Sequence, residues 1–170
     1  MVILFSERKN DTEKEIIEIL TYHNGNYISD RTIKGDNGAF TVISEYQKTD
    51  LQLEKGVVLI LGNTKRFKDQ KIPTGIVGIC EDNNHSAFKL FEKSRIPVIS
   101  CGMNSKSTLT ISSLEDSTML LSLQRIITDI NGNEIEPFEF KIKLKKMYNP
   151  FSVMASSAVL LTNGIIPFEF

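Results

Sequence analysis

Apolar and polar positions alternate along this chain in two rhythms, helical spacing and strand spacing, with unbroken apolar runs between them. Residues 2–5 are such a run and predict a short buried strand. Ile16, Ile17 and Leu20 then recur at helical spacing. Asp11 and Thr12 offer an N-cap, and Glu13 and Glu15 suit the positive helix end, so a helix is predicted over 12–23 with Gly25 as its stop. Residues 27–34 and 39–46 predict two strands, and Gly35-Asp36-Asn37-Gly38 between them carries the Asn-Gly signal of a hairpin. Leu51 and Leu53 precede a turn at Glu54-Lys55-Gly56.

From residue 57 the rhythm is that of an α/β layer. Runs at 57–61, 76–80 and 97–101 lack polar alternation, as parallel strands covered on both faces do. A polar, basic loop over 62–73 separates the first two. A helix over 85–93, with Ala87, Leu90 and Phe91 as its stripe, separates the last two. The stretch 95–113 is the hinge of the pattern: a strand, Cys101-Gly102, a polar loop, then an alternating strand. Beyond it the chain reads as all β until Pro150. Phe138, Phe140, Ile142 and Leu144 alternate with Glu139, Lys141, Lys143 and Lys145, which predicts a strand near a sheet edge with one lysine-covered face. Pro150 opens a last helix over 151–163, stopped by Gly164. It has almost no charge and many small residues, so it is predicted to be buried.

Composition narrows the class. The 170 residues suit one domain, 1–170, able to bury a core without staples. A net charge of -1 provides no field for nucleic acid or an anionic membrane. The longest aliphatic runs are far too short to span a bilayer, and the N-terminus lacks a signal peptide's basic start, so the expected address is cytoplasmic. Cys80 and Cys101 make no framework and read as reduced, buried thiols.

Two stretches resemble a known family. Asn149, the small-residue helix behind it and Gly164-Ile165 resemble the Mur ligase pattern, in which a His-Asn pair opens such a helix. Tyr148 stands in place of the family histidine and Ser152 in place of the second asparagine. Ile79-Cys80-Glu81-Asp82-Asn83, a helix, and residues 97–102 are similar to the family's acidic motif and its following strand. The β-rich piece at 108–144 falls where these ligases insert an antiparallel section. The resemblance covers roughly 57–166, the later part of the central ATP-binding domain of the UDP-N-acetylmuramoyl-peptide synthetases; residues 1–56 form a strand, helix and hairpin part before it. It implies a three-layer, Rossmann-like α/β fold, with a mostly parallel sheet and an antiparallel section in the second half. The family's phosphate loop, Gly-x-Asn-Gly-Lys-Thr-Thr, finds its nearest counterpart at residues 35–41, where Ala39 replaces the lysine and Phe40 the Mg²⁺-binding hydroxyl. Turn chemistry favours a hairpin there. With that loop degraded and no ligase C-terminal domain after residue 170, ligation is not expected.

The resemblance implies nucleotide-binding roles for Asn149 (adenine), Glu81 and Asp82 (ribose, or Mg²⁺ through water). Their local readings are a helix-start asparagine and carboxylates at a helix N-terminus. Lys106 and Ser107, in a Walker-like loop after Gly102, are a weaker phosphate candidate, because Ser105 replaces a glycine and a strand follows. Cys80, Glu81, Asp82 and His85 are too mixed a set to predict a metal, and Cys101 would need one of only two histidines, His23 or His85, to act as a nucleophile. Lys65, Arg66, Lys68, Lys71, Lys141, Lys143, Lys145 and Lys146 read as solvated faces. The expected function is a non-catalytic, Mur-ligase-like binding or interaction protein with a weak pocket for ATP and Mg²⁺. The alternatives are a small enzyme using a nucleotide or phosphorylated substrate, and a structural homo-oligomer. Expected partners are a nucleotide and a second copy or another protein; nucleic acid, membrane and catalytic residues are not expected.

Overall fold

The computed structural model describes residues 1–6, 10–35, 37–62, 67 and 69–170. In chain order the elements are β1 (Val2–Phe5), α1 (Asp11–Tyr22), β2 (Gly25–Ile28), β3 (Ile33–Lys34), β4 (Phe40–Glu45), β5 (Gly56–Ile60) and β6 (Ile76–Glu81). There follow α2 (His85–Ser94), β7 (Val98–Cys101), β8 (Leu109–Glu115), β9 (Thr118–Leu123), β10 (Ile127–Thr128), β11 (Glu134–Ile135), β12 (Phe138–Lys143) and α3 (Pro150–Thr162).

Unbroken apolar runs make the middle of the sheet because both of its faces are covered. In β1, Val2 and Leu4 join one hydrophobic cluster while Ile3 and Phe5 join the other. β5 divides in the same way, Val57 and Leu59 against Val58 and Ile60. The first cluster is roofed by α1 and α3, the second by α2 with Phe67 and Ile72, giving three layers. The ten-stranded sheet runs β12-β9-β8-β7-β6-β5-β1-β4-β2-β3. It is parallel from β2 through β8, with β3 antiparallel to β2 at one end and β9 antiparallel to both β8 and β12 at the other. The α/β class and the antiparallel second half are those expected. β12 does end the sheet: Phe140 and Ile142 are buried and Glu139, Lys141 and Lys143 exposed. The tail lies along its end, with the Phe170 N–H donating to the Lys143 carbonyl at 2.8 Å.

The expected hairpin around residues 35–38 does not form. β2 and β4 are parallel, from Gly25 opposite Phe40 to Ile28 opposite Ile43. The turn-back lies inside 27–34, where β3 folds onto β2 and the Ser29 N–H donates to the Thr32 carbonyl at 2.8 Å. Gly35 (φ 114°) and Asn37 (φ 50°) do use positive φ, but in a return connection leading to the start of β4. Asp36 is outside the described residues. A second correction concerns the cap of α1: Asn10, not Asp11 or Thr12, accepts the Glu13 N–H at 2.8 Å.

α3 has no polar face. Every residue from Ser152 to Thr162 is buried. Ser157 and Thr162 satisfy their hydroxyls on the carbonyls of Val153 and Ala158, four residues back, as buried helical hydroxyls can.

Candidate functional site

Strands β1, β5, β6 and β7 all end at the same edge of the sheet. The chain leaves β1 toward β2 and β4 on one side, and later runs through β5, β6 and β7 on the other. Such a switch of direction opens a crevice at the carboxyl ends of the strands, where α/β sheets bind ligands.

Three asparagine caps bring helix starts to this edge. Asn10 caps α1. Asn84 accepts the Ala87 N–H at 3.1 Å and donates its amide to the Gly62 carbonyl at 2.7 Å, which ties the start of α2 to the end of β5. Asn149 accepts the Phe151 N–H at 2.9 Å, and its own N–H donates to Glu15 Oε2 at 3.0 Å. The local reading of Asn149 is therefore realised. Its side-chain NH₂ stays free among the described residues.

A cavity of about 200 Å³ lies between the starts of α1 and α3, lined by Asn10, Thr12, Leu61, Gly62, Glu81, Asn149 and Phe151. It brings together Asn149 and Glu81, two of the three expected nucleotide residues. The Glu81 carboxylate has no hydrogen-bond or ion-pair partner among the described residues. Asp82 is elsewhere. Its N–H donates to the Cys101 carbonyl at 2.9 Å, and its Oδ2 accepts the Ser107 hydroxyl at 2.9 Å. It faces a second cavity, of about 400 Å³, with Lys106, Ser107, His85 and Arg125. A third, of about 390 Å³, shares Gly62 and Glu81 with the first and Asn83 and His85 with the second. The three form one groove across the strand ends.

Neither cysteine is poised for chemistry. Burial, with Asp82 and Glu81 adding to it, pushes the Cys80 thiol up to about 12. Burial likewise holds Cys101 well above the ordinary thiol range. They belong to opposite faces of the sheet, Cys80 to the α2 side and Cys101 to the α1–α3 side. His23 is occupied at the tail, its Nε2 2.8 Å from the Glu169 carbonyl oxygen. Among the described residues no group of three or more His, Cys, Asp and Glu is arranged to hold a metal, and no helix is long and apolar enough to cross a membrane. Lys65, Arg66 and Lys68 lie outside the described residues. Lys141 and Lys143 sit on β12, which β7, β8 and β9 separate from β6 and the Lys71 segment before it.

The segment 35–41 cannot serve this groove. It leads into the start of β4, at the end of the parallel strands opposite Glu81. Strand, loop and helix N-terminus, the order a phosphate loop needs, occur instead where β1 passes into α1 through residues 6–10. That connection contains no glycine in sequence; Glu7, Arg8 and Lys9 are outside the described residues.

No protein-family model matches the chain, and no curated protein matches it. Solved structures do. A murein peptide ligase from Psychrobacter arcticus superposes with a TM-score of 0.58 at 13% identity, over 96% of this chain and 44% of that one. The UDP-N-acetylmuramate:L-alanyl-gamma-D-glutamyl-meso-diaminopimelate ligase from Neisseria meningitides gives 0.60 at 13% identity, over 97% and 61%. MurF from Acinetobacter baumannii gives 0.53 at 13%, over 97% and 43%. The fold is that of the Mur ligases. The likeness is one of fold, and this chain spans about half the length of the solved structures it matches. The superpositions take in 96–97% of the chain, residues before 57 included.

Sequence reasoning missed Asn10, Thr12, Gly62 and Arg125 as groove residues. Asn10 carried a signal, an asparagine directly ahead of a helix. The other three are ordinary loop or helix-start residues, and only the strand order brings them to one edge.

Proposed function

We propose that this chain is a non-ligating binding protein built on the Mur ligase fold, which holds an adenine nucleotide in the crevice between α1 and α3. The observation that carries the reading is the meeting of Asn149 and Glu81 in one cavity at the switch point of the sheet. Asn149 spends one oxygen lone pair on capping α3. Its NH₂ and second lone pair remain for the donor–acceptor edge of adenine. The unpartnered Glu81 carboxylate suits ribose hydroxyls, and the first turn of α1 favours phosphate through its free N–H groups. The β1–α1 connection has no glycine in sequence, and the tight amide cradle of a phosphate loop is built on glycine. Binding is therefore weak, and phosphoryl transfer is not supported.

Calorimetric titration with ATP and ADP, with and without Mg²⁺, tests the reading. Dissociation constants near ~0.1–1 mM are expected, corresponding to about 4–5.5 kcal/mol, weakened in Glu81→Gln and in Asn149→Ser. Absence of heat at millimolar nucleotide sinks the proposal. Nucleotide turnover that disappears in Glu81→Gln would make the chain an enzyme instead.

A further inference from the structure

We propose that the far end of the groove is a separate binding site for a phosphate monoester, with Lys106 and Arg125 as its cationic arms. The cavity of about 400 Å³ is walled by the start of α2, the end of β7, the loop 102–108 and the segment after β9. Lys106 and Arg125 come from two of these walls, and neither side chain has an ion-pair or hydrogen-bond partner among the described residues. What sets these two cations apart is their shared cavity, whereas Lys14, Arg31, Lys145 and Lys146 are paired to carboxylates on the surface. Two unmatched cations facing one concavity are a standing attraction for an oxyanion. Arginine's planar fork and lysine's point charge together favour a phosphate.

The rest of the lining sets what the phosphate is attached to. Asp82 faces the same cavity and is held in place, its Oδ2 taken by the Ser107 hydroxyl at 2.9 Å and its position backed by Gly102. Inorganic phosphate, a mono- or dianion near neutral pH, would bring its charge unfavourably close to that carboxylate. A ligand with a hydroxyl beside its phosphate donates to Asp82 while its phosphate lies on Lys106 and Arg125. Phe88 adds a half-buried apolar surface for the carbon skeleton. The sites differ in sign: among the described residues the α1–α3 crevice has the unpartnered Glu81 and no lysine or arginine in its wall, whereas this one has two cations. The proposal does not rest on nucleotide binding, and the Walker-like order of residues 102–108 plays no part in it, because that loop runs into β8 and not into a helix.

The experiment is an NMR titration of the full chain with glycerol 3-phosphate, inorganic phosphate and acetate, followed at the amides of Ser100, Ser107 and Phe88. Expected are saturable shifts with glycerol 3-phosphate, weaker ones with inorganic phosphate and none with acetate. Lys106→Ala and Arg125→Ala should each weaken binding about 5–10-fold, as loss of one charge-assisted contact does, and the double variant should abolish it. Both residues are exposed, so the variants fold, and Lys89→Ala on the exposed face of α2 controls for overall charge. Asn149→Ser leaves these shifts unchanged, whatever it does to ATP. The proposal is overturned if the double variant binds like the parent, if Lys89→Ala weakens binding equally, or if no phosphate ester produces saturable shifts.

Discussion

A Cβ placed on Gly102 would lie 2.1 Å from the carboxylate of Asp82. Gly102 has no positive φ to demand a glycine; the demand is space. The strand end of β7 passes directly under the acidic residue that follows β6, and the loop after Gly102 then returns so that Ser107 can donate to that same carboxylate. Gly102→Ala should cost about 1–3 kcal/mol through this overlap. Urea unfolding measures it. Ser107→Ala, which removes only the hydrogen bond, should cost nearer ~1 kcal/mol. Equal losses would mean that crowding at Gly102 is relieved elsewhere.

Asn149 has a structural and a proposed ligand role, and two substitutions separate them. Asn149→Ala removes the cap of α3 and should destabilise by about 0.5–2 kcal/mol. Asn149→Ser keeps a capping oxygen, so thermal or urea stability should stay near that of the parent. Both lack the amide, so both should lose nucleotide heat in calorimetry.

Glu13 is fully buried in the first turn of α1. Its Oε1 accepts the hydroxyls of Ser44 at 2.9 Å and Tyr46 at 2.8 Å, while Oε2 has no partner. Glu13→Ala strands two donors and should cost about 2–4 kcal/mol, on the order of the penalty for each unsatisfied buried group. Glu13→Gln retains an acceptor for both hydroxyls and should cost less. The order of the two unfolding midpoints checks this.

Alkaline pH should weaken the fold. In the native chain Cys80 holds its proton to about 12 and Cys101 is raised as well, both chiefly by burial. The Tyr46 phenol is also held above its ordinary range, by burial first and then by its hydrogen bond to Glu13. An unfolded thiol ionises near ~8.5 and an unfolded phenol near ~10. Above those values the unfolded chain binds fewer protons than the native one, so stability is full below pH ~8.5 and falls as pH rises, by about 1.4 kcal/mol per unit for each thiol. Denaturation curves at pH 7, 9 and 10 measure the slope. Cys80→Ala should flatten it, whatever it does to absolute stability.

Much of the fold was legible because local apolar spacing reports which faces of an element are covered. The runs at 57–61, 76–80 and 97–101 announced strands of a middle layer, and Phe140 and Ile142 against Lys141 and Lys143 announced β12. The failure at residues 35–38 has an equally physical cause. Asn37 and the flanking glycines supply positive φ, which a hairpin turn and a return connection both use. Whether β2 meets β4 parallel or antiparallel is a matter of long-range packing, which the turn residues do not encode.

By itself, the sequence determined the class of this protein: three buried parallel strands, a charge-free helix opened by Asn149-Pro150, and an alternating β half, since each is a statement about short-range spacing. Tertiary structure alone decided that β1 lies between β4 and β5, that Asn149 meets Glu81 while Asp82 turns away to Ser107, and that Arg125 joins Lys106. Those facts depend on strand order, and strand order is set by long-range packing over two faces of a sheet, which no local periodicity encodes.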